Sequence, residues 1–456
     1  MATELYAGEQ ETYIIKEGVK VVERFFKVPL DYSNPTGEKI VVFARQEIPI
    51  QKAKTSEDQA KLPFVVYLQG GPGGEVPLQR NSGFAAELFQ EGYQVLWLDQ
   101  RGTGLSTPLT PDTLPSHIKS DEQIAAYLKH FRQDNIVRDC EAIRKLLLGD
   151  KENPEDRKWT LLGQSFGGFC AITYLSFFSE GIKEVFTCGG LAPLVEEPDA
   201  VYTAIVPRVI KRNKIYYEKY PRDVQRVRNI MNYLETNNVV LPNGGKLTPQ
   251  RWQQLGFDFG MTGGIDRVHQ LVFRASRELE TIGKIGYKTL QSVEHSQAFD
   301  GNPLFAIIHE AIYCQGRASR WSAERIVSQH TQFLWSHVKN LGANEPIYFT
   351  GEMIFSSMFD DYAHLRPWKR AAHLLAQDST WTPIYDLKQL SENKVKVTSA
   401  TYYDDMYVDF NFAQDTAAKI KGTEQYITNQ LFHDGVRAES KDVLKHLFAL
   451  SKREYH

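Results

Sequence analysis

One serine in this sequence lies in a pattern that can turn a hydroxyl into a nucleophile. Ser165 follows the apolar run Trp159–Leu162, is flanked two residues away on each side by Gly163 and Gly167, and precedes an apolar helical pattern. A side chain presented on a sharp strand-to-helix turn leaves no room for a Cβ atom two positions before or after it, which explains both glycines. The pattern predicts a nucleophilic serine at the tip of a strained turn.

A serine hydroxyl reacts well only when an imidazole accepts its proton and a carboxylate orients that imidazole. Both partners occur late in the chain, since Asp404, Asp405 and Asp409 follow one predicted strand and His433 follows the next. We choose Asp405 because Asp404 lies nearer the strand and Asp409 lies beyond the turn, and Asp404 stays open as the alternative. The order Ser165, Asp405, His433 predicts acyl transfer.

Acyl transfer also requires backbone N–H groups that face the negative charge developing on the substrate carbonyl oxygen. One donor should be Phe166, directly after the nucleophile, and the other Gly71, in the glycine-rich loop 70–74 that follows an apolar strand. Glycines let the backbone of this loop approach a substrate closely. We therefore predict an oxyanion hole formed by Gly71 and Phe166.

The elements that must position these residues alternate between strands and helices. Strands are predicted at 20–32, 39–48, 63–68, 93–99, 159–164, 184–190, 347–350, 395–403 and 426–431, with helices at 84–89, 121–148, 169–175, 368–377 and up to residue 420. The first two strands form an antiparallel hairpin at a sheet edge. The remaining alternation predicts an α/β fold, in which a mostly parallel twisted sheet carries helices on both faces.

The alternation is interrupted in the middle of the chain. From 193 to 344 the sequence has charged segments of helical period, rich in arginine, tyrosine and histidine. We predict three parts: a first segment of the α/β domain at 1–192, an inserted helical cap at 193–344, and a second segment of the α/β domain at 345–456.

Composition excludes several classes of function. The 456 residues carry a net charge of -3, which gives no electrostatic reason to expect a nucleic acid or a membrane as partner. The four cysteines lie far apart, and the first residues contain no apolar targeting segment, so we expect a cytoplasmic protein. The pair His309-Glu310 begins like a zinc-binding motif, but position 313 is tyrosine, where that motif has its second histidine. The sequence leaves the oligomeric state open.

Several motifs, in a fixed order along the chain, resemble those of a known family. The strings GGPGG at 70–74, DQRGTG at 99–104, GQSFGG at 163–168, GEM at 351–353 and DDMYV at 404–408 resemble those of the proline iminopeptidase (prolyl aminopeptidase) family of α/β-hydrolase serine peptidases. The resemblance covers both segments of the α/β domain and, more loosely, the cap. It implies release of an N-terminal residue, preferentially proline, from peptides with a free N-terminus, with no metal and no cofactor. It also implies that Ser165, Asp405 and His433 are nucleophile, orienting acid and general base.

The resemblance also implies carboxylates that bind the free amine of the substrate, and Glu310 and Glu352 match them. The chain departs from the family at Gln69, where members commonly have histidine, and its cap is longer than in the small bacterial members. Arg101 in the DQRGTG turn is expected to brace loops through their carbonyl groups rather than to contact substrate.

Two alternative functions stay open. The same fold and triad would serve an esterase, or an aminopeptidase that prefers another N-terminal residue or releases longer units. The chain could also be a non-catalytic binding protein that retains the fold, although the complete set of serine, acid and histidine argues against this.

Overall fold

A nine-stranded sheet runs through the molecule. The computed structural model describes residues 7–297 and 299–453, with side chains from residue 11 onward. The strands are β1 (Ala7–Ile15), β2 (Val19–Pro29), β3 (Lys39–Pro49), β4 (Phe64–Leu68), β5 (Gln94–Leu98), β6 (Trp159–Gln164), β7 (Ile182–Cys188), β8 (Lys396–Tyr402) and β9 (Thr423–Thr428).

The spatial order of the strands is β1-β2-β3-β5-β4-β6-β7-β8-β9. The pairs β1–β2, β2–β3 and β3–β5 are antiparallel. From β5 onward in this spatial order, through β4, β6, β7, β8 and β9, every pair is parallel. The predicted hairpin is therefore confirmed, and β1 extends it. Because parallel strands share their carboxyl edge, the loops that follow β4, β6, β7 and β8 meet on one side of the sheet, which is where ligands bind in open α/β sheets.

Helices cover both faces of this sheet. Along β4, Val65 and Tyr67 pack in a cluster with the helices at 83–90 and 440–451, whereas Val66 and Leu68 pack with the helices at 133–148 and 166–178 on the other face. The helices of the α/β part are α1 (Ser56–Lys61), α2 (Gly83–Gln90), α3 (Asp121–Leu128), α4 (Gln133–Leu148), α5 (Phe166–Phe178), α17 (Phe410–Lys419), α18 (Gly435–Ala438) and α19 (Ser440–Ser451). The predicted α/β fold with a mostly parallel sheet and helices on both faces is confirmed.

The described residues between β7 and β8 add no strand to the sheet, and the one bridge among them pairs Val240 with Lys246. Their helices are α6 (Asp199–Lys219), α7 (Asp223–Thr236), α8 (Pro249–Gln253), α9 (Gly264–Ile282), α10 (Tyr287–Ser296), α11 (Pro303–Ile308), α12 (Ser322–Val327), α13 (Trp335–Val338), α14 (Met358–Asp361), α15 (Lys369–Gln377) and α16 (Leu387–Ser391). The 3-10 helix Gln254–Gly260 connects α8 to the loop before α9.

The strand predicted at Ile347–Thr350 is wrong, because this segment has no regular secondary structure. Its backbone groups bond to the helical region instead of to the sheet. The Asn213 side chain donates to the carbonyl of Phe349 and accepts from its N–H, both at 2.8 Å, and the N–H of Thr350 donates to the carbonyl of Gln253 at 2.9 Å. A buried apolar run thus satisfies its hydrogen bonds without a neighbouring strand.

Other boundaries also differ from the prediction, and two of them are instructive. The long helix predicted at 121–148 is divided into α3 and α4, because Arg132 has an extended backbone. Its buried guanidinium donates to the carbonyls of Cys314 and Thr382 at 2.7 and 2.8 Å, which ties this break to the helical region. The last strand begins at Thr423, three residues before the predicted start.

Arg101 has the structural role that the sequence suggested. Its fully buried guanidinium donates to the carbonyls of Pro29, Leu30 and His130 at 2.8–3.0 Å and pairs with Asp139 at 2.6 Å. Arg101 therefore braces the loop that follows β5, and the expectation is confirmed.

Candidate active site

Ser165 occupies the turn between β6 and α5. Its φ of +55° lies in the region that L-residues rarely adopt. The glycines are required by close approach, because a Cβ atom on Gly167 would lie 1.8 Å from the carbonyl oxygen of Leu68 and one on Gly163 would lie 2.4 Å from that of Gly167. The N–H of Ser165 donates to the carbonyl of Cys188 at 3.0 Å. The turn is thus held against the neighbouring strands, with Ser165 only 9% exposed.

Asp405 and His433 form a buried pair at the carboxyl ends of β8 and β9. His433 Nδ1 and Asp405 Oδ2 are 2.7 Å apart. The other carboxylate oxygen, Oδ1, accepts the N–H groups of Tyr407 and Val408 at 2.8 and 3.1 Å. Those two bonds orient the carboxylate, and the carboxylate in turn orients the imidazole.

The two other acids of this turn face elsewhere. Asp404 pairs with Lys211 at 2.6 Å on the exposed side of the turn. Asp409 accepts the N–H groups of Asn411 and Phe412 at the start of α17 and pairs with Arg208 at 2.5 Å. Of the three acids that the sequence offered, the structure therefore brings Asp405 against His433.

A pair of glycines connects the serine to the histidine. A Cβ atom on Gly189 would lie 3.1 Å from His433 Nδ1, and one on Gly190 would lie 2.8 Å from the carbonyl oxygen of Ser165. The turn after β7 is thus in contact with both residues. His433 is 3% exposed, and the ring of Tyr407 lies 4.7 Å from its ring in an edge-to-face arrangement.

The charge of His433 is set by opposing effects. Burial by itself lowers the pKa of this imidazole, but the carboxylates of Asp405 and Glu352 outweigh burial and hold the pKa above its usual value, against the opposing cation of Arg437. The site therefore favours the imidazolium, the species that a general base becomes after it has accepted a proton.

The glycine loop approaches Ser165 from the end of β4. A Cβ atom on Gly70 would lie 3.1 Å from the Cβ of Ser165. In the described part of the chain, the N–H groups of Gly71 and Phe166 donate to no acceptor. Phe166 is the first residue of the 13-residue helix α5, whose N-terminal end favours negative charge. Two unpaired donors thus lie in the two segments that flank the serine.

Glu352, one of the two predicted amine ligands, interacts electrostatically with His433. Burial raises its pKa to about 7, with the positive charge of His433 lowering it and the negative charge of Asp405 raising it further. No hydrogen bond to its carboxylate is present among residues 7–297 and 299–453. Glu352 is thus an available carboxylate close to the imidazole.

Glu310, in contrast, already has protein partners. Its two carboxylate oxygens accept the N–H groups of Ser322 and Ala323, the first residues of α12, at 3.1 and 2.8 Å. The carboxylate is 6% exposed, and burial raises its pKa to about 7 although these N–H groups oppose the shift. The neighbouring His309 is buried, which lowers its pKa to about 3, and stacks on Phe305 at 4.8 Å. Glu310 therefore holds the start of a helix.

Sequence reasoning missed Asn302 and Arg437. The Asn302 amide donates to the carbonyl of Pro72 in the glycine loop at 3.2 Å and accepts from the N–H of Phe305 at the start of α11. The string Asn302-Pro303 is a helix-start signature that could have located α11. Nothing local indicates that Asn302 would contact the loop, nor that Arg437 would contact Gln69.

None of the helices in residues 7–297 and 299–453 has both the length and the apolar content needed to cross a bilayer.

Comparison with known proteins identifies the family. Residues 63–231 match the model of the alpha/beta hydrolase fold. The chain is 40% identical over 443 residues to a proline iminopeptidase of Aeromonas sobria, covering 96% of this chain and 98% of that protein. It is also 40% identical over 428 residues to a proline iminopeptidase of Aspergillus aculeatus, covering 94% and 92%. A solved proline iminopeptidase of Mycobacterium smegmatis aligns over 93% of this chain and 97% of its own, at 12% identity and a TM-score of 0.43. From its extensive identity to the first two proteins, this chain belongs to the proline iminopeptidase family of α/β-hydrolases.

Proposed function

We propose that this chain is a prolyl aminopeptidase, a serine exopeptidase that releases N-terminal proline from short peptides. The observation that carries the proposal is a hydrogen-bonded Asp405–His433 pair near a carboxylate, Glu352, that has no hydrogen-bonding partner among the described residues. The hydrogen-bonded pair suits a serine hydrolase, and the available carboxylate suits a substrate that carries a positive charge. The names of the relatives at 40% identity support the same activity.

In the first half of the reaction, Ser165 Oγ attacks the carbonyl carbon of the N-terminal prolyl residue while His433 Nε2 accepts the hydroxyl proton. Asp405 stabilises the resulting imidazolium, and the N–H groups of Gly71 and Phe166 bind the oxyanion. The C–N bond then breaks, His433 gives its proton to the leaving amine, and a prolyl ester of Ser165 remains.

In the second half, water attacks this ester. His433 accepts a proton from the water, the tetrahedral intermediate forms in the same oxyanion hole, and the proton returns to Ser165 Oγ as the C–O bond breaks. Free proline leaves, and the enzyme is restored without any other reactant.

The position of cleavage follows from the amine. The substrate ammonium would pair with Glu352, and a charge-assisted hydrogen bond of this kind is worth about 1.5–3 kcal/mol. Glu352 lies within electrostatic reach of both His433 and Asp405, and we infer that an ammonium held there sets the cleavage point one residue in from the N-terminus. We propose Glu310 as a second source of negative charge for the amine, although its oxygens already hold α12.

We further propose the division 1–192, 193–344 and 345–456, in which the middle part is a cap over the site. The contact between Asn302 and Pro72 supports this, because it joins the cap to the glycine loop. The four cysteines are unpaired and buried, which supports a reducing, cytoplasmic location.

The test is steady-state hydrolysis of prolyl arylamide beside alanyl arylamide and N-acetyl-prolyl arylamide, with the Ser165→Ala variant as control. The proposal predicts strong preference for the prolyl compound with a free amine, and loss of turnover in Ser165→Ala. Equal turnover of the acetylated compound would rule out aminopeptidase activity and favour a general serine hydrolase or esterase. Failure of a fluorophosphonate to label Ser165 would instead favour a non-catalytic binding protein.

A further inference from the structure

Gln69 lies at the beginning of the glycine loop, and its side chain spans that loop. Its amide oxygen, Oε1, accepts the N–H of Gly70 at 3.1 Å, and its Nε2 donates to the carbonyl of Glu75 at 3.0 Å. A Cβ atom on Gly74 would lie 3.2 Å from Gln69 Cγ, so the loop closes around this side chain. One amide thus joins the first and last residues of the segment that carries Gly71.

The same amide oxygen also reaches the segment that carries the general base. Gln69 Oε1 accepts from the guanidinium of Arg437 at 2.6 Å and from the hydroxyl of Tyr67 at 2.9 Å. Arg437 lies in α18, which begins two residues after His433. A single oxygen atom therefore accepts hydrogen bonds from the glycine loop, from the end of β4 and from the helix that follows His433.

The backbone of Gln69 is held as well. Its carbonyl accepts from the side-chain amide of Gln100 at 3.0 Å, and Tyr67 is buried beneath it. Both the main chain and the side chain of Gln69 are therefore hydrogen-bonded. We expect replacement of the side chain to shift the glycine loop rather than the backbone of Gln69.

The geometry points to Gln69 as a positioning residue for the reaction: it holds the Gly71 N–H at the distance that the oxyanion requires and, through Arg437, keeps the glycine loop in register with the segment of His433. This inference rests on the proposed function, since it gives Gly71 and His433 the roles assigned there. Gln69 itself touches neither substrate nor reacting atoms.

The inference predicts an effect on the transition state and not on substrate binding, because the oxyanion exists only after attack. Gln69→Met keeps the approximate length and volume of the side chain and removes all of its hydrogen bonds. Since loss of one oxyanion donor costs about 100- to 1,000-fold in kcat, we expect Gln69→Met to lower kcat by at least about 10-fold while KM changes less than about twofold.

Two inhibitors distinguish a loss of oxyanion-hole geometry from a general disruption of the active site. A prolyl boronic acid forms a tetrahedral adduct with Ser165 whose oxygen occupies the oxyanion hole, whereas free proline, the product, does not need that geometry. Gln69→Met should weaken the boronate by about the same factor as kcat and leave the inhibition constant of proline unchanged. The matched control is Gln79→Met, because in the described part of the chain the Gln79 side-chain amide donates only to the carbonyl of Pro77. This variant should leave both constants unchanged.

Arg437→Met tests the second half of the inference. It removes the bonds that Arg437 donates to Gln69 Oε1 and to the Tyr67 hydroxyl. The bond that Gln69 accepts from the Gly70 N–H and the one that it donates to the Glu75 carbonyl remain, so kcat should fall less than in Gln69→Met. In the double variant the loss should be smaller than the product of the two single losses, because both changes remove the same contact. Gln69→Glu keeps the acceptor oxygen and loses the donor to Glu75, so its kcat should lie between those of wild type and Gln69→Met. This variant replaces Gln69→Met in the test if Gln69→Met does not fold.

Three results would overturn the inference: kcat of Gln69→Met and Gln69→Glu within about threefold of wild type, equal weakening of the boronate and of proline, or multiplicative losses in the double variant. Each is distinct from failure of the proposed function, which would appear as persistent turnover in Ser165→Ala. If Ser165→Ala is inactive and Gln69→Met has the same kcat and inhibition constants as Gln79→Met, the proposed aminopeptidase activity is retained and only the role of Gln69 is contradicted.

Discussion

Asp405 and His433 are joined by a 2.7 Å hydrogen bond, and neither is exposed to solvent by more than a few per cent of its surface. The carboxylate can turn little, because its second oxygen accepts two backbone N–H groups from the turn that follows it. The imidazole thus has Nδ1 toward the carboxylate, and no hydrogen bond to its Nε2 is present among the described residues, an arrangement that suits general-base catalysis by histidine.

Replacement of this acid by its amide gives the first prediction. Asp405→Asn keeps the volume of the side chain but removes the charge that stabilises the imidazolium and selects its tautomer, so kcat on prolyl arylamide should fall about 10,000-fold. Asp404→Asn is the control, because Asp404 pairs with exposed Lys211 on the other side of the turn. It should change kcat less than about twofold. Similar losses in both variants would show that the acid has been misassigned.

The two glutamates should give different results when each is changed to glutamine. Glu352 has no hydrogen-bonding partner in the described part of the chain, so Glu352→Gln should keep the melting temperature and lower kcat/KM on prolyl arylamide by about 10- to 100-fold, the value of a charged hydrogen bond. An equal loss on N-acetyl-prolyl arylamide, which has no ammonium, would contradict the assignment of Glu352 to the amine.

Glu310→Gln should lower the stability of the protein as well as its activity. Both carboxylate oxygens accept N–H groups at the start of α12, and an amide nitrogen cannot accept one of them. We expect a loss of about 1–3 kcal/mol in the free energy of unfolding, measured by chemical denaturation beside Glu352→Gln. A Glu310→Gln protein as stable as wild type would show that its bonds to α12 contribute nothing to folding.

Sequence and structure agree where the pattern is local. The strand, glycine and helix signals around Ser165 are contiguous, so they indicated the turn and the parallel sheet correctly. The apolar run at Ile347–Thr350 has the same composition as a strand, and only the distant Asn213 and Gln253, which bond to its backbone, show why it is not one.

The supporting contacts of the site are equally hidden from the sequence. Arg437 and Gln69 are 368 residues apart in the chain, and no spacing rule connects positions at that distance. Likewise, Asp404 and Asp405 are adjacent and of identical chemistry, so only the direction in which each side chain leaves the turn separates them. Periodicity predicts elements, whereas these contacts depend on how the elements pack.

The turn around Ser165 gives a prediction about folding. A Cβ atom on Gly167 would overlap the carbonyl oxygen of Leu68, at 1.8 Å, and neither backbone can move without displacing β4 or α5. Gly167→Ala should therefore destabilise the protein by about 3 kcal/mol or abolish its folding. Gly342→Ala, where a Cβ atom would meet nothing within 4 Å, should change stability by less than about 0.5 kcal/mol. Equal stability of the two variants in thermal denaturation would contradict the close packing of this turn.

The dependence of activity on pH should report two groups at once. Facing His433 are Asp405, Glu352, Arg437 and the ring of Tyr407, and the carboxylates hold the pKa of the imidazole above its usual value although burial alone would lower it. Burial raises the pKa of Glu352 to about 7. As pH falls, His433 gains a proton and can no longer act as a base, while Glu352 becomes neutral and no longer attracts the substrate ammonium.

Both losses occur as pH falls, so log kcat/KM on prolyl arylamide should fall on the acid side with a limiting slope approaching about 2. In Glu352→Gln only the imidazole remains, and the slope should be about 1. The midpoint should also move to lower pH, because a carboxylate that favoured the imidazolium has been removed. A wild-type slope of about 1, or an unchanged profile in Glu352→Gln, would show that Glu352 does not titrate with the reaction.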